Sequence, residues 1–80
     1  MHDRARTFLD GLAAAVRQRR RDLGLTQVEL AELARCSTRF LHTVEAGKAT
    51  VRLDKLLDLL GVLGLALQIE HPGGMGAARR

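Results

Sequence analysis

Thr38, Arg39, His42 and Thr43 are the residues of this chain best equipped for chemistry. Their spacing puts all four on one polar face of a helix, because residues three or four apart stack along a helix of 3.6 residues per turn. They supply a planar guanidinium, two hydroxyls and an imidazole, groups suited to recognition by hydrogen bonding. An arginine can hold the two acceptors on a guanine edge at once, and a threonine can meet a thymine methyl or a polar atom of a base edge. Lys48 and Thr50, just downstream, suit contact with a phosphodiester backbone. His42 serves equally well as a solvent-facing histidine.

A catalytic or metal-binding constellation is not expected. The histidines, His2, His42 and His71, are far apart in sequence. Cys36 and His42 stand six residues apart, which is not a usual ligand spacing on one helix face. No glycine-rich phosphate loop follows a strand. Cys36 reads as a small buried apolar residue in a turn. No cofactor is expected.

The elements that position the polar face lie in residues 25–48, which read as two short helices joined by a tight turn. Thr26 and Glu29 have the spacing of a capping box, with Leu25 and Leu30 at the positions of a hydrophobic staple. Val28, Leu30, Ala31, Leu33 and Ala34 are expected on the buried side. Ser37 is a preferred N-cap for the second helix, with Cys36 and Leu41 as its staple. Phe40, Leu41 and Val44 follow at helical spacing, and Gly47 is a C-terminal stop.

This stretch resembles the helix-turn-helix of lambda-repressor-like regulators, the Xre family. The residues that carry the resemblance are Thr26-Gln27, Glu29-Leu30-Ala31, Ala34, Ser37, Leu41, Val44-Glu45 and Gly47-Lys48. In such motifs the second helix enters the major groove of DNA and the first crosses the backbone. The resemblance implies that Gln27 donates to a backbone phosphate, and that a helix before the motif adds a phosphate contact from Arg17 or Arg20. Ser37 is weighed first as a cap and second as a DNA contact, and Glu45 as a support of the fold. One position departs from the pattern: Arg35 stands in the turn where the family usually has glycine, because the backbone there tends to be left-handed. A non-glycine residue in that conformation costs roughly 1–2 kcal/mol.

The flanking chain completes the expectation. Residues 1–6 read as a loose basic arm, followed by a helix capped by Thr7 or Asp10, with Leu12, Val16 and Leu23 as its buried stripe, Ala13 close by, and Gly24 as its stop. A further helix from about Arg52 to Leu63 has Leu53, Leu56, Leu57 and Leu60 at i, i+3, i+4 and i+7. That leaves Leu59, Val62 and Leu63 as surplus apolar surface. After Gly64, residues 65–70 alternate with period two, putting Leu65, Leu67 and Ile69 on one face of a strand. Pro72 and the glycines that follow it stop that strand, and residues 71–80 read as a disordered tail.

The segment after the motif resembles the small antitoxins of the HipB type, in which a C-terminal strand pairs with its dimer mate and the partner is a kinase-like toxin. The resemblance covers about residues 12–70. The expected architecture is mainly α, a lambda-repressor-like bundle of about four helices in one domain, residues 1–70. Its one C-terminal β-strand would form an intermolecular sheet in a homodimer, through Leu59, Val62, Leu65, Leu67 and Ile69. The resemblance implies a repressor that binds a near-palindromic operator in duplex DNA and neutralises a toxin. The alternative is a stand-alone repressor.

Charge and composition agree. The net charge is +4, and residues 1–52 hold 10 basic and 6 acidic side chains, so the excess lies with the helix-turn-helix and what precedes it. A polyanion-binding face needs that distribution. Aromatics make up only 2% of 80 residues, so the core must be Leu, Val and Ala. A lone cysteine and no apolar run of membrane-spanning length fit a cytoplasmic chain with no membrane partner.

Overall fold

The computed structural model describes residues 3–48 and 50–70. Four helices follow one another: α1 Asp3–Asp22, α2 Gln27–Ala34, α3 Thr38–Glu45 and α4 Leu53–Leu63. Leu9, Leu12 and Val16 from α1 meet Leu30, Ala31 and Ala34 from α2, Leu41 and Val44 from α3, and four leucines from α4. This is the mainly α, lambda-repressor-like bundle that the sequence predicts.

Local chemistry sets the ends of α2 and α3. Thr26 Oγ1 accepts from the Glu29 amide at 3.1 Å, and the Glu29 carboxylate accepts from the Thr26 amide at 2.8 Å, which closes the capping box. Ser37 Oγ accepts from the Phe40 amide at 2.9 Å. Leu25 and Cys36, the expected staple residues, pack half-buried against the same core as Leu30 and Leu41. Between the helices Arg35 has φ 56° and ψ 41°, a left-handed residue with a side chain. Its amide donates to the Glu32 carbonyl at 3.2 Å, and the Cys36 amide donates to Ala31 at 3.0 Å. These bonds satisfy carbonyls that the end of α2 would otherwise leave open.

The structure corrects several placements. Helix α1 begins at Asp3, so Asp3–Arg6 are its first turn rather than an arm, and Thr7 and Asp10 lie inside it. The Arg6 guanidinium donates to the Gly47 carbonyl, which fastens that first turn to the end of α3. Leu9 is buried in the α1 stripe, whereas Leu23 is exposed. On α2, Val28 and Leu33 face solvent, because a two-turn helix between α3 and α4 buries only one side.

On α4 the buried stripe is Leu56, Leu59, Leu60 and Leu63, and the expected members Leu53 and Leu57 are exposed. Both stripes have the i, i+3, i+4, i+7 spacing and share Leu56 and Leu60, so periodicity permits either. Packing on α1 and α2 selects the second. Leu59, expected at a dimer surface, is therefore wholly buried in this chain's own core.

Residues 65–70 have no regular secondary structure, and no strand occurs among the described residues. A single chain gives this segment no edge to pair with. Leu65 and Leu67 pack partly buried on the core, and Ile69 is fully exposed. The expected tail, residues 71–80, lies outside the described residues.

Candidate nucleic-acid interface

Helix α3 is held from beneath and free above. Leu41 and Val44 anchor it in the core, and Thr38, Arg39 and His42 stand exposed on the opposite side. Thr43 is half-buried, and its hydroxyl donates to the Arg39 carbonyl at 3.0 Å. Its proton is thus spent within the helix, which leaves a methyl group and an acceptor for an outside partner. Arg39 has no hydrogen-bond or ion-pair partner among the described residues.

A cleft borders each edge of this face. One, of about 250 Å³, lies along His42 and Ala46 and is walled by Arg17, Arg20, Arg21 and Gln27. The other, of about 480 Å³, lies along Arg39 and Thr43 and takes in Arg35, Cys36, Ser37, Thr50, Arg52 and Lys55. The exposed face of α3 is thus flanked by cations on both sides, an arrangement suited to a helix lying between two phosphate strands. Lys48 is exposed beyond the end of α3.

Glu45 organises the first cleft. It is the one buried charged side chain among the described residues. Arg20 grips it with two bonds, Nε at 2.7 Å and Nη2 at 3.0 Å, and Gln27 Nε2 adds a third at 3.1 Å. Burial alone would push the Glu45 carboxyl up. The hydrogen bonds from Arg20 and Gln27, with the charges of Arg20 and Arg17, outweigh that and hold it below the usual carboxylate range. The same bond to Glu45 raises the Arg20 guanidinium, against a smaller opposing effect of burial. In the second cleft burial pushes the Cys36 thiol up, partly offset by the charge of Lys55.

Several expected phosphate ligands are thereby committed to the fold. Arg20 also donates to the Leu25 carbonyl at 3.0 Å. Arg17 donates to the Glu45 carbonyl at 2.6 Å, and Arg19 to the Leu63 carbonyl at 2.7 Å. Arg17 and Arg19 cap the C-terminal ends of α3 and α4, where a cation complements the helix dipole. A sequence signal existed. Arg17 and Arg20 stand four residues after the buried Ala13 and Val16, so they extend the core stripe rather than the solvent face. Ser37 serves as the N-cap while its side chain borders the second cleft.

Among the described residues, no group of three or more His, Cys, Asp and Glu is arranged to hold a metal, and no helix is long and apolar enough to cross a membrane.

Residues 12–71 match the family model described as a helix-turn-helix domain. The chain is 40% identical over 73 residues to y4mF of Sinorhizobium fredii, which is described as an uncharacterized HTH-type transcriptional regulator, with 91% of this chain and 95% of that protein covered. The two caps, the left-handed turn between them and the free face of α3 are the geometry of that domain. The match extends over most of the described bundle, so this chain belongs to the helix-turn-helix family of DNA-binding transcriptional regulators, in its lambda-repressor-like, Xre-type form.

Proposed function

We propose that the protein is a repressor that binds a near-palindromic operator as a two-fold dimer, with α3 of each copy in the major groove. The observation that carries this reading is the free polar face of α3, anchored below by Leu41 and Val44 and flanked on both edges by basic clefts. Arg39 reads a guanine, Thr43 offers its methyl to a thymine, and Thr38 and His42 complete the contact surface. Gln27 and Arg17 meet the phosphates beside the first cleft with the hydrogens that Glu45 leaves free. Arg20 is a support for Glu45 and not a primary DNA ligand.

The dimer reading draws on residues 65–70 and on an apolar groove of about 310 Å³ lined by Phe8, Leu12, Ala15, Leu60, Leu65 and Leu67. Pairing of two copies of the segment about a two-fold axis is antiparallel and satisfies amides and carbonyls that one chain leaves open. Val62 and Ile69 are the free members of that surface, and Leu59 supports it from within the core.

Selection from a pool of random duplexes, followed by fluorescence anisotropy, tests the function. Enrichment of an inverted repeat, with half-sites about one helical turn apart or a multiple of it, is the expected result. A pool that stays random after repeated rounds would end this reading.

The antitoxin role extends the same reading and rests on the resemblance of residues 52–70 and on apolar side chains that DNA binding does not use. Leu53, Leu57 and Val62 on α4 are exposed. Co-expression with a neighbouring kinase-like gene product, followed by co-purification, tests it, and the absence of any such complex favours the stand-alone repressor.

A further inference from the structure

Arg35 combines two features that the fold does not explain. It adopts the left-handed conformation that glycine takes without strain, and its exposed side chain has no hydrogen-bond or ion-pair partner among the described residues. The backbone bonds of the turn, from the Arg35 amide to Glu32 and from the Cys36 amide to Ala31, use no side-chain atom, so a glycine would make them equally well. What the side chain does instead is border the cleft beside Arg39 and Thr43.

That cleft collects four cations, Arg35, Arg39, Arg52 and Lys55. Their acidic neighbourhood is thin: Asp54 pairs with Arg52 at 2.6 Å in solvent, and no other carboxylate pairs with them among the described residues. Hydroxyls of Ser37, Thr43 and Thr50 border the same space, although Ser37 and Thr43 have bonds of their own within α3. Cations gathered around hydroxyls with so little countercharge fit a phosphodiester. The cleft lies on the edge of α3 away from His42, Gln27 and Arg17, where the second strand of a major groove would run.

We propose that Arg35 is a DNA-positioning residue that, with Lys55 and Arg52, holds a backbone phosphate in this cleft. The strained turn between α2 and α3 is thereby a binding element for the second strand. The inference rests on the DNA-binding reading above but concerns a separate residue and a separate edge of α3.

Three variants and one native reporter test it. Arg35→Asn and Arg35→Gly both accept the left-handed backbone and remove the charge, and Arg35→Lys keeps the charge. The probes are the selected operator and a random duplex of equal length. Both neutral variants should weaken binding to the two duplexes by the same factor. The slope of log affinity against log salt should fall by about 0.9 for each phosphate no longer neutralised, and the lysine variant should retain the wild-type slope. Cys36, the sole cysteine, lines the cleft, so either bound duplex should slow its reaction with an aromatic disulfide reagent several-fold. A thermal melt at or above the wild-type midpoint separates a weakened grip on DNA from a damaged fold. If the neutral variants keep the wild-type slope while Arg39→Ala still loses operator preference, the proposal is overturned and the DNA-binding reading stands. Unchanged Cys36 reactivity in the saturated complex overturns it equally. A wild-type chain with no affinity for either duplex overturns both.

Discussion

The Arg20 guanidinium meets the Glu45 carboxylate through Nε at 2.7 Å and Nη2 at 3.0 Å, tying α1 to the last turn of α3 from beneath the exposed polar face of that helix. Both side chains are largely shielded from solvent, 13% and 4% exposed. Two parallel bonds of this kind fix an angle as well as a distance. Because Glu45 also accepts from Gln27, one carboxylate sets the orientation of α3 and of the Gln27 amide together.

Removing the acid should therefore do more than remove a pair. Glu45→Ala leaves the largely shielded Arg20 with only the Leu25 carbonyl as an acceptor. Removing one member of a buried pair costs about 3–5 kcal/mol, and the remaining bond puts the expected loss at the lower end of that range. Urea denaturation of the variant checks this, and a loss under about 1 kcal/mol would show that solvent replaces the pair.

The same pair predicts an acid limit. The folded Glu45 carboxyl is held below its unfolded value, so its contribution is complete above the unfolded value of about 4.3 and is lost as pH falls through the folded value. Wild type and Glu45→Gln should differ most in stability near neutral pH and converge as pH falls below about 4. Thermal melts across that range read it, and a difference that stays constant with pH would place the stabilisation elsewhere.

Specificity and positioning should separate by residue. Arg39→Ala is expected to lose about 1–3 kcal/mol on the operator and little on random duplex. Gln27→Ala and Arg17→Ala should weaken both about equally. Wild-type affinity should fall by orders of magnitude between about 50 and 200 mM salt. Anisotropy titrations decide all three, and equal loss by Arg39→Ala on both duplexes would reverse the assignment.

The dimer is best tested at Ile69, which is fully exposed in the single chain, rather than at Leu67, which packs partly on the core. Ile69→Asp should yield folded monomers with weakened operator binding, and truncation after Gly64 should do the same more completely. Sedimentation at micromolar concentration gives the answer, with a dimeric Ile69→Asp or truncated chain as the contrary result.

Arg35→Gly should leave stability unchanged or raise it by up to about 1 kcal/mol. Relief of left-handed strain, roughly 1–2 kcal/mol, is offset by the greater freedom of glycine in the unfolded chain. A clear loss in chemical denaturation would mean that the arginine side chain supports the turn.

What the sequence determined by itself was local. Thr26 with Glu29 and Ser37 before Phe40 depend on neighbours within a few residues, and each has the geometry that its spacing predicts, while the left-handed Arg35 has the conformation that the family resemblance implies. The polar face of α3 was legible for the same reason, since it follows from helical periodicity once the caps are set. What the tertiary structure decided was which of two equivalent choices each longer element made. The leucines of α4 offer two overlapping stripes of identical spacing, and only packing against α1 and α2 buries Leu59 and Leu63 instead of Leu53 and Leu57. The arginines of α1 can reach solvent phosphates or protein carbonyls with the same atoms, and only the fold brings Glu45, Gly47 and Leu63 within their reach. Periodicity records that a face is apolar or charged, whereas the partner across that face comes from a distant part of the chain and is absent from any local pattern.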